Sequence, residues 1–156
     1  MRVKICAIGR LRGGPQAALI DDYLQRFDRT GRALGLGPVT ISEHEAKKGG
    51  GKAEEAALLK GAVPQGAKVI ALDERGKLLS SPEFAMKLGD WRDDGCRDLA
   101  ILIGGADGLS PDLRSRSDFT LSFGKIVWPH MLVRVMLTEQ LYRAASILSG
   151  SPYHRD

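Results

Sequence analysis

The sequence predicts an α/β protein with a mostly parallel sheet and helices on both faces. Short apolar segments rich in β-branched residues alternate with longer segments whose apolar residues recur at helical spacing. Residues 99–103, LAILI, are apolar without alternation, which is typical of a strand that helices cover on both faces. A helix between two strands is the crossover that parallel pairing requires, so the order of the segments favours parallel strands.

The first half of the chain supplies three strands and two helices. Residues 2–9 are largely apolar and end in glycine, and they predict the first strand. Residues 16–34 place apolar side chains three and four apart between charges, which predicts an amphipathic helix. The β-branched PVTIS at residues 38–42 predicts the second strand. Residues 53–62 are rich in alanine and glutamate and predict a helix, and KVIAL at residues 68–72 predicts a third, central strand.

The second half adds two strands and three helices. Serine, proline and glutamate at residues 81–83 favour a helix start, and apolar spacing extends that helix to about residue 94. After the LAILI strand, a Ser-Pro pair at residues 110–111 begins a short helix, and FTLSF at residues 119–123 predicts a fifth strand. Residues 129–148 predict the last helix, whose wide apolar stripe indicates burial against two surfaces, the second of which could be another subunit.

The composition fits one globular domain over residues 1–156. Apolar residues make up 43% of the chain and charged residues 27%, a balance typical of folded chains. No apolar run approaches the roughly 18 residues of a membrane span, and the first apolar stretch is shorter than the ~7–15 residues of a signal peptide. Cys6 and Cys96 are too few for a disulfide scaffold. We therefore expect a protein of the reduced cytoplasm with no membrane partner.

The net charge of +4 is unevenly distributed. Basic residues outnumber acidic ones by 10 to 5 over residues 1–52, whereas acidic residues predominate by 12 to 9 over residues 53–120. Lys47, Lys48 and Lys52 surround three glycines in a segment that is either a mobile surface loop or a basic flap contacting phosphates. The segment is not a P-loop, because it lacks the first glycine and the hydroxyl of that motif. This charge permits a polyanionic partner such as nucleic acid without requiring one.

Three segments could carry chemistry, and two of them follow strand ends, where ligands of parallel sheets bind. LIGGADGLS at residues 102–110 would let a ligand approach the backbone, although a tight strand-to-helix turn needs the same glycines. FGKIVWP at residues 123–129 contains apolar residues that cover either the core or an apolar ligand such as an adenine ring. SPYHRD at residues 151–156 is either a frayed end or a group of base-stacking, titrating and phosphate-binding side chains.

Polar residues of the last helix have both ordinary and functional explanations. His130 could be satisfied by solvent, and Arg134 and Arg143 could pair with Glu139 or Asp156. No Ser-His-Asp arrangement, paired carboxylates or HExxH motif is present in the sequence. Three histidines so far apart do not favour a metal site, and we predict none.

Several of these motifs together resemble one bacterial family. LIGGADGLS, FGKIVWPHMLVRVMLTEQLYRA and SPYHRD, with VKICAIGRL near the start and VIALDERGK in the middle, resemble the small SPOUT-class methyltransferases that modify N3 of a pseudouridine in large-subunit ribosomal RNA. The resemblance spans essentially the whole chain in the expected order. It implies a sheet whose C-terminal part is tied into a trefoil knot, which general rules of chain topology would not predict. It also implies a homodimer with the last helix in the interface, and the assembled ribosome as substrate.

The resemblance places S-adenosylmethionine in a cradle of three strand-end loops. No metal is required for this chemistry, because the sulfonium of the cofactor already activates the methyl group. The cofactor positions implied in this sequence are Leu72, Gly104, Phe123, Gly124, Lys125, Ile126, Val127 and Trp128.

The resemblance also implies roles around the substrate base. N3 of pseudouridine becomes a good nucleophile only when its proton leaves, so a general base near neutral pH is expected. His154 is the preferred base and His130 the other candidate, while Tyr153 would position the flipped-out base. Binding of phosphate or polarisation of a base carbonyl is expected from arginines, with Arg134 among the catalytic residues and with Arg143, Arg155 and His130 contacting RNA. The C-terminal tail of a partner subunit is expected to complete each active site.

Two other functions stay open from the sequence. A non-catalytic ribosome-binding factor could keep the cofactor cradle and transfer nothing. Without the resemblance, the alternation of strands and helices also fits a flavodoxin-like nucleotide-binding module. Stabilisation of the fold by S-adenosylmethionine, and not by flavin or a nucleoside triphosphate, separates the methyltransferase from the flavodoxin-like module.

Overall fold

A computed structural model describes residues 1–155 and shows a sheet of five parallel strands. The strands are β1 (Arg2–Ile8), β2 (Val39–His44), β3 (Lys68–Leu78), β4 (Asp98–Ile103) and β5 (Phe119–Ser122). Their order in the sheet is β2-β1-β4-β3-β5. The carboxyl ends of all five strands therefore lie at one edge of the sheet, which we call the carboxyl edge.

Helices cover both faces of this sheet. They are α1 (Pro15–Gly31), α2 (Gly51–Ala62), α3 (Ser81–Asp93), α4 (Pro111–Arg116) and α5 (His130–Leu148). Buried side chains of α1, α3 and α5 join one apolar cluster, and those of α2 and α4 join another. Alternate residues of a strand point to opposite faces, and β1 contributes alternate residues to the two clusters. The α/β class with helices on both faces is confirmed.

The central strands are packed as the sequence predicts. Ile101 of β4 pairs in register with Ile5 of β1 and with Ile70 of β3, and all three side chains are fully buried. Burying such a side chain stabilises the fold by about 1.5–3 kcal/mol. The LAILI segment is buried along its whole length, as expected for a strand covered on both faces.

The third strand is longer than predicted. It continues to Leu78, because both Leu72 and Lys77 pair with Leu121 of β5 and residues 73–76 form an excursion between them. Gly76 permits the return to the sheet, since a Cβ there would lie 2.6 Å from the carbonyl carbon of Leu121. The predicted strand stops at residue 72, because its second pairing with β5 joins residues that are far apart in sequence.

Smaller differences occur at helix ends. The first helix ends at Gly31 and a short 3-10 helix, Arg32–Leu34, follows it, because Leu36 folds back and donates a hydrogen bond to the Gly31 carbonyl. The second helix begins at Gly51, so Lys52 belongs to its first turn. Within residues 1–155, no helix is long and apolar enough to cross a membrane. The trefoil knot stays a prediction of the resemblance, and the strand order is consistent with it.

Candidate active site

Three loops at the carboxyl edge of the sheet enclose a cavity of about 570 Å³, here called the strand-end cavity. Its walls come from the excursion of β3 that follows Leu72, the loop after β4, and the loop between β5 and α5. Small-molecule sites typically have volumes of roughly 300–1,000 Å³. The lining includes most of the predicted cofactor positions, namely Leu72, Gly104, Phe123, Gly124, Ile126, Val127 and Trp128. Lys125 is exposed and does not line the cavity.

The loop after β4 depends on a glycine at position 104. A Cβ on Gly104 would lie 2.6 Å from the carbonyl carbon of Gly108 and 2.8 Å from the amide nitrogen of Leu109. The loop therefore folds directly back onto the strand end, where only glycine fits. Gly104 and Gly108 both line the strand-end cavity, so the tight turn and the ligand-facing backbone are the same structure.

The loop between β5 and α5 exposes its apolar side chains. Ile126 is 69% exposed and Val127 77% exposed, and Trp128 is 41% exposed. Packing on the core was one interpretation of these residues, and their exposure excludes it. Exposed apolar side chains that line a cavity can instead cover the flat ring of a ligand or meet a partner.

Acidic residues lie beside this apolar wall. The Asp73 side chain is 2% exposed and forms an ion pair of 3.1 Å with Arg114. Its Oδ1 also accepts a hydrogen bond of 3.0 Å from the backbone N–H of Arg75. These bonds compensate its burial and attach α4 to the excursion of β3. Glu74 and Asp107 also line the cavity and are more exposed, and Glu74 forms an ion pair of 3.2 Å with Arg75. Within residues 1–155, Asp107 is the lining carboxylate without an ion-pair partner, so it can face a positively charged group of a ligand.

His130 begins α5 and lines the strand-end cavity. Burial lowers its pKa, the charge of Arg134 lowers it further, and Glu55 opposes the shift. The imidazole is therefore neutral near pH 7 and can accept a proton.

Arg134, one turn further along α5, is buried and braces the ends of two strands. Its Nη1 donates a hydrogen bond of 2.7 Å to Glu43 of β2. Its Nη2 donates bonds of 2.7 Å and 2.6 Å to the carbonyls of Ile8 and Gly9 at the end of β1. Its Nε has no partner among residues 1–155. The catalytic role predicted for Arg134 stays a prediction, because its assigned hydrogen bonds all go to the protein itself.

The C-terminal tail packs on α5. There, Tyr153 and His154 join Glu139 and Arg143 in a second group of polar side chains, here called the tail cluster. The Tyr153 hydroxyl donates a hydrogen bond of 3.1 Å to Glu139, and its ring lies 4.4 Å from that of Tyr142. Arg143 binds the same Glu139 carboxylate at 2.5 Å and lies 3.3 Å from Nδ1 of His154. Burial and the charge of Glu139 raise the pKa of Tyr153 above its usual value. Tyr153 therefore stays protonated and acts as a hydrogen-bond donor.

The predicted site residues thus fall into two groups within one chain. Tyr153, His154 and Arg143 do not line the strand-end cavity. Arg155 is exposed beside them, and Asp156 lies outside the described residues. Glu139 pairs with Arg143 as their spacing of four residues predicts, and its second contact, with Tyr153, has no signal in the local sequence. Among residues 1–155, no three His, Cys, Asp or Glu side chains are grouped to hold a metal ion.

Comparison with known proteins identifies the family. A family model described as "Predicted SPOUT methyltransferase" matches residues 1–154. The chain belongs to the SPOUT methyltransferases. A protein of Ruegeria sp. (strain TM1040) named "Ribosomal RNA large subunit methyltransferase H" is 66% identical over 155 residues, which are 99% of each chain. Proteins with the same name from Roseobacter denitrificans and Paracoccus denitrificans are 64% and 62% identical over 156 residues, the full length of each chain.

A solved structure shares the fold of this chain. It is described as a probable methylase family protein from Haemophilus influenzae Rd KW20, and it matches with a TM-score of 0.53 at 14% identity. The match covers 99% of this chain and 70% of that chain. At such low identity the likeness shows the fold alone.

The strand-end cavity of this SPOUT methyltransferase fits a methyl donor of the S-adenosylmethionine type. Ile126 and Val127 offer an apolar wall for the adenine ring, and the backbone at Gly104 can approach it without a Cβ in the way. Asp107, which has no ion-pair partner within residues 1–155, lines the cavity and can balance the positive charge of a sulfonium or an ammonium group.

We expect the Arg134→Ala substitution to lower the free energy of unfolding by about 3–5 kcal/mol, because it leaves Glu43 and two strand-end carbonyls without their buried donor. Glu43→Gln keeps an oxygen acceptor for Nη1 and should lower the free energy of unfolding by less. The matched control is Arg155→Ala on the exposed tail, where a change within about 0.5 kcal/mol is expected. Urea denaturation measures all three, and an Arg134→Ala protein as stable as the wild type would contradict the bracing role.

Proposed function

We propose that this chain transfers a methyl group from S-adenosylmethionine to N3 of a pseudouridine in large-subunit ribosomal RNA, on the assembled ribosome. The observation that carries the proposal is the strand-end cavity, with its glycine-backed floor and exposed apolar wall, in a chain with full-length relatives named for methylation of large-subunit ribosomal RNA. Those names do not favour the alternative of a non-catalytic ribosome-binding factor. We further propose that the protein acts in the cytoplasm.

The reaction needs alignment and the removal of a proton. When bound, S-adenosylmethionine supplies a methyl group that its sulfonium has already activated. The methyl group would pass to N3 as its bond to sulfur breaks, and the N3 proton would pass to a base of the protein. The protein's part is to hold N3 in line with the methyl carbon in a site that excludes water, which lowers the entropic cost of reaching the transition state.

Two histidines could accept the N3 proton. His130 lies in the wall of the strand-end cavity and is neutral near pH 7. His154, the preferred base, lies in the tail cluster 3.3 Å from the guanidinium of Arg143. Tyr153 is not a base, since its raised pKa keeps the phenol protonated, but its hydroxyl and ring can hold a flipped-out base.

We propose that the active site is completed by a second copy of the chain. Glu139 of the tail cluster lines a second cavity of about 580 Å³ between α1, α3 and α5. The rim of this second cavity exposes Leu19 by 47% and Leu78 by 59%, and exposed apolar surface of this kind is typical of subunit contacts. The second cavity shares Phe123 and Gly124 with the strand-end cavity. A second copy bound to this surface would therefore lie next to the cofactor loop of the first copy. The tail cluster of the second copy would then lie beside that loop.

Methyl transfer from labelled S-adenosylmethionine tests the proposed function. Naked large-subunit RNA, isolated large subunits and whole ribosomes from cells lacking this protein are offered in parallel. We expect label in whole ribosomes only, located by mass spectrometry on a pseudouridine, because a net charge of +4 supports only weak general affinity for RNA. Absence of label from all three substrates, with binding of S-adenosylmethionine intact, would reject the proposed activity on this substrate.

Complementation between two inactive variants tests the shared site. One variant, Tyr153→Ala with His154→Ala, lacks two side chains of the tail cluster. The other, Ile126→Asp with Val127→Asp, lacks the apolar side chains of the exposed cavity wall. In a co-refolded equal mixture, half of the dimers contain one copy of each variant, and each such dimer has one intact site. We therefore expect about a quarter of wild-type activity. If each chain completes its own site, the mixture stays as inactive as either variant alone.

A further inference from the structure

We propose that the loops after β1 and β2 form a basic rim that binds the phosphate backbone of the RNA beside the strand-end cavity. This inference rests on the proposed function and deepens it by assigning a surface for the flanking RNA. The basic rim consists of Arg10, Arg12, Lys47, Lys48 and Lys52, whose side chains are exposed.

The two loops of the basic rim are joined by hydrogen bonds where they leave the sheet. The strands β1 and β2 are parallel neighbours, so the loops that follow them leave the sheet at the same edge. The Gly9 N–H donates a hydrogen bond of 2.8 Å to the carbonyl of His44. The Leu11 N–H donates one of 2.9 Å to Oε1 of Glu43. Cations that are far apart in sequence are thereby brought to one surface.

Most cations of the basic rim are not neutralised by the protein. Within residues 1–155, the ion pairs include Arg10 with Glu45 at 3.5 Å, an exposed contact of little strength, and none involves Arg12 or the three lysines. Glu43 is already bound by the buried Arg134. The carboxylates at the start of α2 pack against backbone, Glu54 over Gly50 and Glu55 over Gly105. Positive charge therefore remains available to an external anion.

The basic rim is continuous with the strand-end cavity. Glu55 on α2 packs against Gly105, a residue that lines the cavity. A Cβ added to Gly105 would lie 2.8 Å from Oε1 of Glu55. On the other side, Arg134 binds the carbonyls of Ile8 and Gly9 just before the rim and lies one helical turn from His130 in the cavity wall. Residues that neighbour the rim in sequence, Gly9 and Glu55, therefore lie beside the residues of the cavity wall.

A nucleic-acid backbone is the ligand that this arrangement fits. An enzyme that draws a base out of an RNA into a cavity leaves the neighbouring phosphates at the mouth of that cavity. Phosphate contacts of this kind fix the register of the RNA without reading its sequence. Residues 1–52 carry 10 basic and 5 acidic groups, and five of those ten basic residues belong to the basic rim.

The test compares two triple variants that remove the same charge. The first, Lys47→Gln with Lys48→Gln and Lys52→Gln, removes three cations of the basic rim. The control, Arg32→Gln with Lys60→Gln and Arg97→Gln, removes three exposed cations at the opposite edge of the sheet, none of which is ion-paired within the described chain. Affinity for unmethylated ribosomes is measured over a series of salt concentrations, and KM and kcat are measured with saturating S-adenosylmethionine.

We expect the plot of log affinity against log salt to lose roughly two to three units of slope in the rim variant, and KM to rise by about tenfold or more. Its kcat and its affinity for S-adenosylmethionine should equal those of the wild type, and the control should match the wild type throughout. Equal losses in both variants would overturn the proposal, because only total charge would then matter. Weaker binding with an unchanged salt slope would also overturn it, since the partner would then be a ribosomal protein. A wild-type chain that binds ribosomes but transfers no methyl group would reject the proposed activity, while the salt slopes would still decide on the basic rim.

Discussion

The parallel direction of all five strands is the constraint on which the site depends. It requires every crossover to return beneath or above the sheet, so the helices cover both faces and the loops collect at the carboxyl edge. The excursion within β3 and the loops after β4 and β5 enclose the strand-end cavity, and the loops after β1 and β2 carry the basic rim. The proposed cofactor and RNA surfaces are neighbours because the strands are neighbours.

The last helix joins the two halves of this edge. Buried Arg134 binds strand-end carbonyls of β1 and the Glu43 carboxylate of β2, and its charge helps to keep His130 neutral in the cavity wall. At its other end, α5 carries the tail cluster, in which Glu139 binds both Arg143 and Tyr153. One helix therefore positions the predicted base candidates of both groups, and a dimer would bring the two groups together.

Features of the site that depend on local sequence could be predicted, and those that depend on distant partners could not. The uninterrupted apolar run LAILI predicted a buried strand, and the apolar residues after β5 predicted a covering role, which their place in the cavity wall supports. The contact between Arg134 and Glu43 joins residues 91 positions apart, and no local pattern announces it. The return of β3 to the sheet after Asp73 depends on β5, so the sequence alone predicted a strand that ends at Leu72.

Hydrogen exchange of backbone amides with and without S-adenosylmethionine tests most directly whether the strand-end cavity is the cofactor site. The cavity predicts slower exchange over residues 104–108 and 123–128, with no change around Leu19 and Tyr23 in the second cavity. Slower exchange confined to the second cavity, or no change at a saturating concentration of S-adenosylmethionine, would contradict the assignment of the strand-end cavity.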